Sequence, residues 1–427
     1  MKKITHRLAL PLLIVLQVLI MIPEASAMPA FARQYGLSCS ACHSAFPRLN
    51  AFGESFAASN FRLPNWKNNT VPTGDDMLAL PMTPPLAFRA QGYAQAREAE
   101  AIDLTTGDST EADSDFQSPY LIKLLSSAPL SDHISYYFYA IFAEKGGNGE
   151  TIVEDAWFSH DALFGTNVGM MLGQFQVSDL MFPRETRLNF QDFMAYRLAG
   201  ITYERGVVFD TAVGSVDMAL GLVNGNGIND NVTINSPGYR RPDHLFDNDN
   251  DKSVFGRIGT ELGPVGVGLF GYRGQQKNAI GVAGTGSGTR DTDKDILGLD
   301  ISGTLGMNSH WFSQLLWNEW DGFIDANRKY KWFGAFIGVD YIQSPRWAHS
   351  LLYNYADADD LENTDTVYEG IAMQTLTYTA SYYFMRNIKG VIEFNVDLLD
   401  EDPQTGSYYT GHLSSEHYLL LGFDTAF

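Results

Sequence analysis

The chain has 427 residues, with 29 lysines and arginines against 50 aspartates and glutamates, a net charge of −21. Such acidity excludes ordinary nucleic-acid binding, which needs cations in place of phosphate counterions. Two cysteines exclude a scaffold stapled by several disulfides, while 40 glycines and 13% aromatic residues point to many strands and turns.

Residues 1–27 read as a secretory leader. Lys2, Lys3 and Arg7 form a basic start, Leu8 to Ile22 an apolar stretch, and Ala25-Ser26-Ala27 a small-residue cleavage site. The alternative is a retained anchor helix, but the stretch is short for a span of ~20 residues. No later segment reaches the ~18 consecutive apolar residues of a membrane helix. The mature chain, starting at Met28, is therefore expected to be exported, either as a soluble periplasmic protein or as an outer-membrane barrel.

Cys39-Ser40-Ala41-Cys42-His43 holds both cysteines of the chain. C-x-x-C-H is the attachment signature of haem c: two thiols form thioethers with the porphyrin, and the adjacent imidazole takes one axial position on iron. A redox disulfide is the competing reading, yet the βαβ context of such motifs is missing. Zinc would need four ligands at suitable spacing, which the sequence does not show. Pro47 can open a helix, after which Leu49, Phe52 and Phe56 recur at three and four residues. That stripe suits either a porphyrin edge or the core of a small plug. Residues 28–84 are expected to form this haem segment, closing in the turn-rich Pro81-Met82-Thr83-Pro84.

Pro29 to Gln34, the C-x-x-C-H run, and Phe46-Pro47-Arg48-Leu49-Asn50-Ala51-Phe52-Gly53 together resemble the fused outer-membrane monohaem cytochrome–porin family. The close likeness covers residues 29–62. It implies one covalently attached haem c at Cys39 and Cys42, with His43 as proximal iron ligand. It also implies an extracellular electron donor, Fe2+ in the iron-oxidising members, and a periplasmic electron carrier as acceptor. Ser44 stands where the iron-oxidising members are expected to carry an aromatic. Fe(II) as donor, and an oxidoreductase of the Fe(II):cytochrome c type if the chain is an enzyme, come from the resemblance alone.

From residue 85 to 427 the pattern is period two. Leu86, Phe88, Ala90, Gly92 and Ala94 alternate with Arg89, Gln91, Tyr93, Gln95 and Arg97, an apolar face for lipid and a polar face for a lumen. Similar segments follow at about 116–127, 132–144, 151–160, 168–177, 199–211, 216–224, 253–262 and 265–274. Others lie at 294–304, 309–320, 331–342, 346–356, 370–384, 388–398 and 415–427. The expected fold class is all-β, a sixteen-stranded antiparallel transmembrane barrel with a small, mainly helical N-terminal plug, in the outer membrane of a Gram-negative bacterium. Connections alternate short and long, as periplasmic turns and extracellular loops do. Trp311, Trp317, Trp320, Trp332 and Trp347 are expected in interfacial girdles. Phe427, Phe423, Leu421 and Leu419 share one face of the closing strand.

Loop 178–198, the third long one, is expected to fold inward and narrow the pore. It carries Met181 and Met194, candidate sixth iron ligands, with Met170 and Met171 just before it. Methionine would raise the iron potential; His133, His160, His310 and His349 are the competing ligand type. Asp247, Asp249 and Asp251 resemble the start of a calcium loop, but Lys252 replaces the expected glycine. Asp357, Asp359 and Asp360, and Asp397 with Asp400, Glu401 and Asp402, could gather a hard cation or be solvated loops. No hydrolytic triad is visible. The expected function is electron transfer across the outer membrane; the alternative is a solute-selective porin with a structural or gating haem plug.

Overall fold

The computed structural model describes residues 30–63, 71, 73–75, 78, 85–98, 100–102, 109–111, 114–142, 152–225, 250–277, 291–362, 364, 368, 371–399 and 417–427. The expected leader, Asp247, Asp249, Asp400, Glu401 and Asp402 lie outside them, as do large parts of the long loops.

Sixteen antiparallel strands close into one barrel. They are β1 Leu86–Glu98, β2 Ser114–Pro129, β3 Ile134–Ile141, β4 Ile152–His160, β5 Gly169–Gln176, β6 Tyr203–Val213, β7 Val216–Val223 and β8 Ser253–Leu262. There follow β9 Val265–Lys277, β10 Asp291–Leu305, β11 Ser309–Asp321, β12 Lys329–Ser344, β13 Trp347–Asp357, β14 Met373–Met385, β15 Ile388–Asp397 and β16 His417–Ala426. Each pairs with its sequence neighbours, and β16 returns to β1 with Leu421 opposite Ala94 and Phe423 opposite Gly92. Phe427 fastens that seam: its N–H donates to Phe88 O at 2.8 Å, Phe88 N–H donates to Phe427 O at 2.7 Å, and the rings stack at 5.9 Å. Closure leaves no unpaired edge, which hydrocarbon would not tolerate.

Alternation sorts the side chains. On β12, Ile337, Val339 and Tyr341 are exposed on the outer wall, while Tyr330, Trp332, Phe336 and Asp340 are buried on the luminal side. Two aromatic belts ring the outer wall over β11–β14. Trp317, Phe333 and Tyr355 form one, with centroids 5.4 and 6.1 Å apart; Trp347 and Tyr382, at 4.9 Å, with Tyr341 form the other. Phe333 and Tyr341 share one face of β12, and the strand rise and tilt put the belts roughly 20 Å apart, close to the apolar band of such barrels. Trp320 and Trp332 depart from the girdle expectation. Both face the lumen, 1% and 4% exposed, because each falls on the inward register of its strand.

Strand β6 begins at Tyr203 rather than 199, because residues 177–202 form a loop that turns into the lumen, as expected for the third long connection. Its base is closed by Val177 N–H on Thr202 O and Ser178 N–H on Ile201 O. Its tip crosses to the far wall. Phe190 and Gln191 N–H donate to the Glu393 carboxylate at 2.6 and 2.8 Å, Asn189 Nδ2 to Thr379 Oγ1 at 2.8 Å, and Met194 N–H to Asn354 Oδ1 at 3.0 Å. Short helix α4, Met194–Leu198, packs there under β11–β13. Asp192 is gripped by Arg184, Arg187 and Arg197. Burial alone would raise its pKa, but the three guanidiniums hold it far below the ordinary carboxylate range.

Glu393 is fully buried and also accepts from Thr379 and Tyr418 hydroxyls. Hydrogen bonds to a charged group contribute about 1.5–3 kcal/mol each. Glu393→Leu is therefore expected to free the loop tip: trypsin should cut at Arg184, Arg187 or Arg197 in the variant and not in the parent. Heat-modifiable gel mobility, the mark of a closed barrel, should persist in both.

Candidate haem site at the short-turn mouth

Residues 30–63 build a plug. Helix α1, Ala30–Tyr35, turns at Gly36, whose φ of +64° suits glycine, into the single turn α2, Cys39–Cys42. His43–Ala45 then pairs with Arg48–Leu49 as a short hairpin, His43 opposite Leu49, and α3 runs Ala51–Ala58. Asn50 joins these parts. Its Oδ1 caps α3 by accepting from Gly53 N–H at 2.9 Å, its Nδ2 donates to Ala41 O at 3.0 Å, and its N–H donates to Cys42 O at 2.9 Å. Gly53 permits the approach: a Cβ there would lie 2.1 Å from Cys42 O.

Aromatic contacts make the plug's core. Phe56 packs edge-on against Phe31 and Tyr35 at 5.3 Å, and Phe61 stacks on Phe31 at 5.0 Å. The expected stripe therefore divides: Phe56 is buried, while Phe52 stays 44% exposed on the open side of α3.

Two anchors fasten the plug across the mouth. On one side Phe61 stacks on Tyr137 and Trp157, and Asn60 bonds three ways. Its Nδ2 donates to His133 O at 3.1 Å, its O accepts from Ser135 Oγ at 2.8 Å, and its Oδ1 accepts from Ser159 Oγ. Asn60 sits at φ 58°, a left-handed conformation that asparagine tolerates better than most. On the other side Tyr383 donates to Phe46 O at 2.7 Å, Arg89 lies over the Phe46 ring, and Arg48 meets Asp340 at 3.7 Å. Ala45 and Phe46 pack there with Leu188 of the inward loop, Ala348, Tyr383 and Ile342. All these wall positions lie at the end of the barrel that carries the short turns.

Cys39, Ser40 and His43 of the C-x-x-C-H turn line a crevice together with Phe46, Ser344, Pro345, Tyr383 and Arg386. Both thiols are free and only partly exposed, and burial raises their pKa, so they are neutral at pH 7. Burial lowers the pKa of His43, leaving a neutral imidazole. Its Nδ1 lies 3.0 Å from Pro47 O. A proton on Nδ1 donated to that carbonyl fixes the tautomer and leaves the Nε2 lone pair as the ligating one. Two unpaired thiols on one helical turn beside an oriented imidazole are the donor set haem c requires.

The other expected ligands lie elsewhere. Met181 is buried in the inward loop, its Sδ accepting from Gln314 Nε2 at 2.9 Å, and Met194 is 1% exposed in the same luminal cluster. Met171 packs against that cluster, and Met170 lies opposite His160 across β4 and β5. None of these methionines lines the crevice beside His43. His133 and His160 stack on each other at the first short turns, and His349 faces outward against Tyr378 and Trp347. His310 faces the lumen, stacked on Phe312, the ring that Arg48 covers. Asp360 accepts from Lys331 N–H and Arg328, and Asp397 from Leu399 N–H. Among the described residues no group of three or more His, Cys, Asp or Glu is placed to hold a metal ion.

Sequence reasoning missed Asn50, Asn60, Tyr383 and Arg386 as parts of the site. Asn50 carried a signal, an asparagine just before a helix start. Tyr383 and Arg386 carried none, being more than 330 residues from the motif they meet.

No family model and no curated protein matches the chain. Among solved structures it is similar to OmpF of Salmonella typhi, with a TM-score of 0.54 and 13% identity, over 80% of this chain and 97% of that one. It is also similar to an anion-selective porin from Comamonas acidovorans, with a TM-score of 0.53 and 15% identity, over 81% and 99%. The fold is that of an outer-membrane porin. Its closed wall, apolar outside and belted by aromatics, places this porin-like barrel in the outer membrane, and the short turns then face the periplasm.

Removing the Asn50 side chain deletes a helix cap, which costs about 1 kcal/mol, and frees the cysteine turn. Asn50→Ala is expected to speed maleimide labelling of Cys42. Asn50→Asp, which keeps the cap, should label more slowly than Asn50→Ala.

Proposed function

We propose that this chain is an outer-membrane c-type cytochrome that carries single electrons from an extracellular donor to a periplasmic carrier. One observation carries the reading: the Cys39–Cys42 turn, with the His43 imidazole oriented by Pro47 O, is seated in the periplasmic mouth of a closed barrel. A haem c bound there would supply reversible one-electron chemistry. Cys39 and Cys42 would tether it and His43 Nε2 would ligate its iron. Asn50 and Gly53 fix the turn against α3, and Tyr383, Arg48 and Asn60 fix the plug against the wall. The barrel holds these groups at the membrane without exposing unpaired backbone to hydrocarbon. Fe(II) as the donor rests on the family resemblance.

The luminal side chains support electron passage over bulk solute flow. Lys123, Glu154, Lys294, Asn354 and Glu393, which face the lumen, are at most 3% exposed. A wide water channel would wet them.

A second reading is a solute-selective porin whose plug is structural or gating, and the fold comparisons favour it. So does a small cavity between the inward loop and the wall, lined by Arg89, Lys123, Arg187 and Lys389 against Glu185 and Asp424.

The deciding experiments use purified protein in detergent. A pyridine-haemochrome band is expected from the parent and not from Cys39→Ser/Cys42→Ser; its absence from the parent would end the cytochrome reading. Stopped-flow mixing with Fe(II) is expected to reduce the haem, and no reduction at any pH would remove iron as donor. Ion conductance in planar bilayers without electron flux across proteoliposomes would favour the porin.

A further inference from the structure

The charged residues of the seven short turns are unevenly placed. Asp132 and Asp161 lie in the first two, and Arg346 and Arg386 in the last two. Of the second pair, Arg386 is at the haem crevice, and Arg346 is on the adjoining turn with its guanidinium at Tyr382 of the outer-wall belt. Arg386 donates to Pro345 O at 3.0 Å, while Arg346 donates to Tyr382 Oη at 3.1 Å and gives its carbonyl to Tyr383 N–H. Both guanidiniums are exposed, and neither forms an ion pair among the described residues. Among the described residues no carboxylate lines the crevice. Asp161 is already held by Arg62 and His133 at the opposite side of the mouth. Glu54 of the plug is within electrostatic reach of Arg48 and Glu261. Ala426, which exchanges hydrogen bonds with Asn387, shares the rim.

Two cations with no ion pair among the described residues, one lining the crevice and one on the adjoining turn of the rim, stand out in a chain of net charge −21. A protein's overall charge sets its solubility, but the local field at a docking patch sets which partner is steered there and how fast. We infer that Arg346 and Arg386 form the docking rim for the periplasmic acceptor, and that this acceptor is a soluble electron carrier presenting an acidic face. The inference rests on the cytochrome reading and names the charge of its partner. The rim's cations would hold carboxylates of the carrier over the crevice, bringing its redox centre to the edge of the haem.

Inorganic oxidants of opposite charge read the local field directly. The reduced, haem-loaded protein in detergent is mixed with ferricyanide, a trianion, and separately with tris(phenanthroline)cobalt(III), a trication, at low and high ionic strength. The ferricyanide rate is expected to fall about tenfold as salt screens the rim, and the cobalt rate to rise. Arg346→Gln/Arg386→Gln should flatten the ferricyanide slope; Arg346→Lys/Arg386→Lys should keep it. A salt slope unchanged in the glutamine variant overturns the inference. So does a variant that moves only the midpoint potential, which would assign the arginines to the haem's own propionates. If the parent shows no haemochrome band, the cytochrome reading fails separately. Labelled polyglutamate then tests the rim alone, and equal binding to parent and glutamine variant would remove it.

Discussion

A backbone N–H or C=O left unpaired in hydrocarbon costs several kcal/mol. A sheet in a membrane must therefore close, and closure requires the last strand to meet the first in register. Here the register depends on a few residues at the end of the chain. Phe427 exchanges both backbone hydrogen bonds with Phe88, and Asp424 accepts from Arg89 and Gln91 on β1. A slip of β16 by one residue would turn Asp424 toward lipid and Leu421 and Phe423 toward the lumen. The alternation of sixteen strands makes that slip prohibitively costly, so wall, girdles and mouth follow from one constraint.

Closure creates a second problem, an interior lined with ionisable groups that are no longer bathed in water. The inward loop answers it by supplying counter-charges. Glu185 accepts from Arg89, Lys123 and Tyr139, and Arg184 reaches Glu154. Buried ion pairs are weak as net stabilisers, but removing one partner leaves an uncompensated charge. Loop and wall are thus mutually dependent: the loop cannot leave without taking from Lys123 its nearer carboxylate, Glu185, and the wall charges cannot be deleted without loosening the loop. The plug repeats the device at the mouth through Arg48 and Asp340.

The barrel was legible because its signal is repeated. Each strand alone is a weak period-two pattern, but sixteen of them, with short and long connections alternating, leave little freedom. Where a strand ends and an inward loop begins was not legible, since Ala199 to Thr202 are as apolar as the strand they precede. Nor was the direction of Trp320 and Trp332. Tryptophan suits a membrane interface and a packed lumen equally, and only register decides. The cysteine and histidine motif was plain as a motif, because its five residues are contiguous in sequence. Its surroundings were not, because Tyr383, Arg386 and Asp340 come from strands and a turn hundreds of residues away. Sequence periodicity names the face a residue occupies, not the neighbour it will meet across a closed wall.

The level of the plug bears on the proposed electron route. Arg48 meets Asp340, one residue from Tyr341 in the periplasmic aromatic belt. The cysteine turn, a few residues away, therefore lies at that belt, and the outer belt stands roughly 20 Å further along the wall. Electron tunnelling falls steeply with distance, so an external donor held at the cell surface would be poorly coupled to a haem at this depth. Under the cytochrome proposal that gap would have to be crossed through the packed luminal cluster, which holds Phe193, Phe312, Phe336, Trp320 and Trp332.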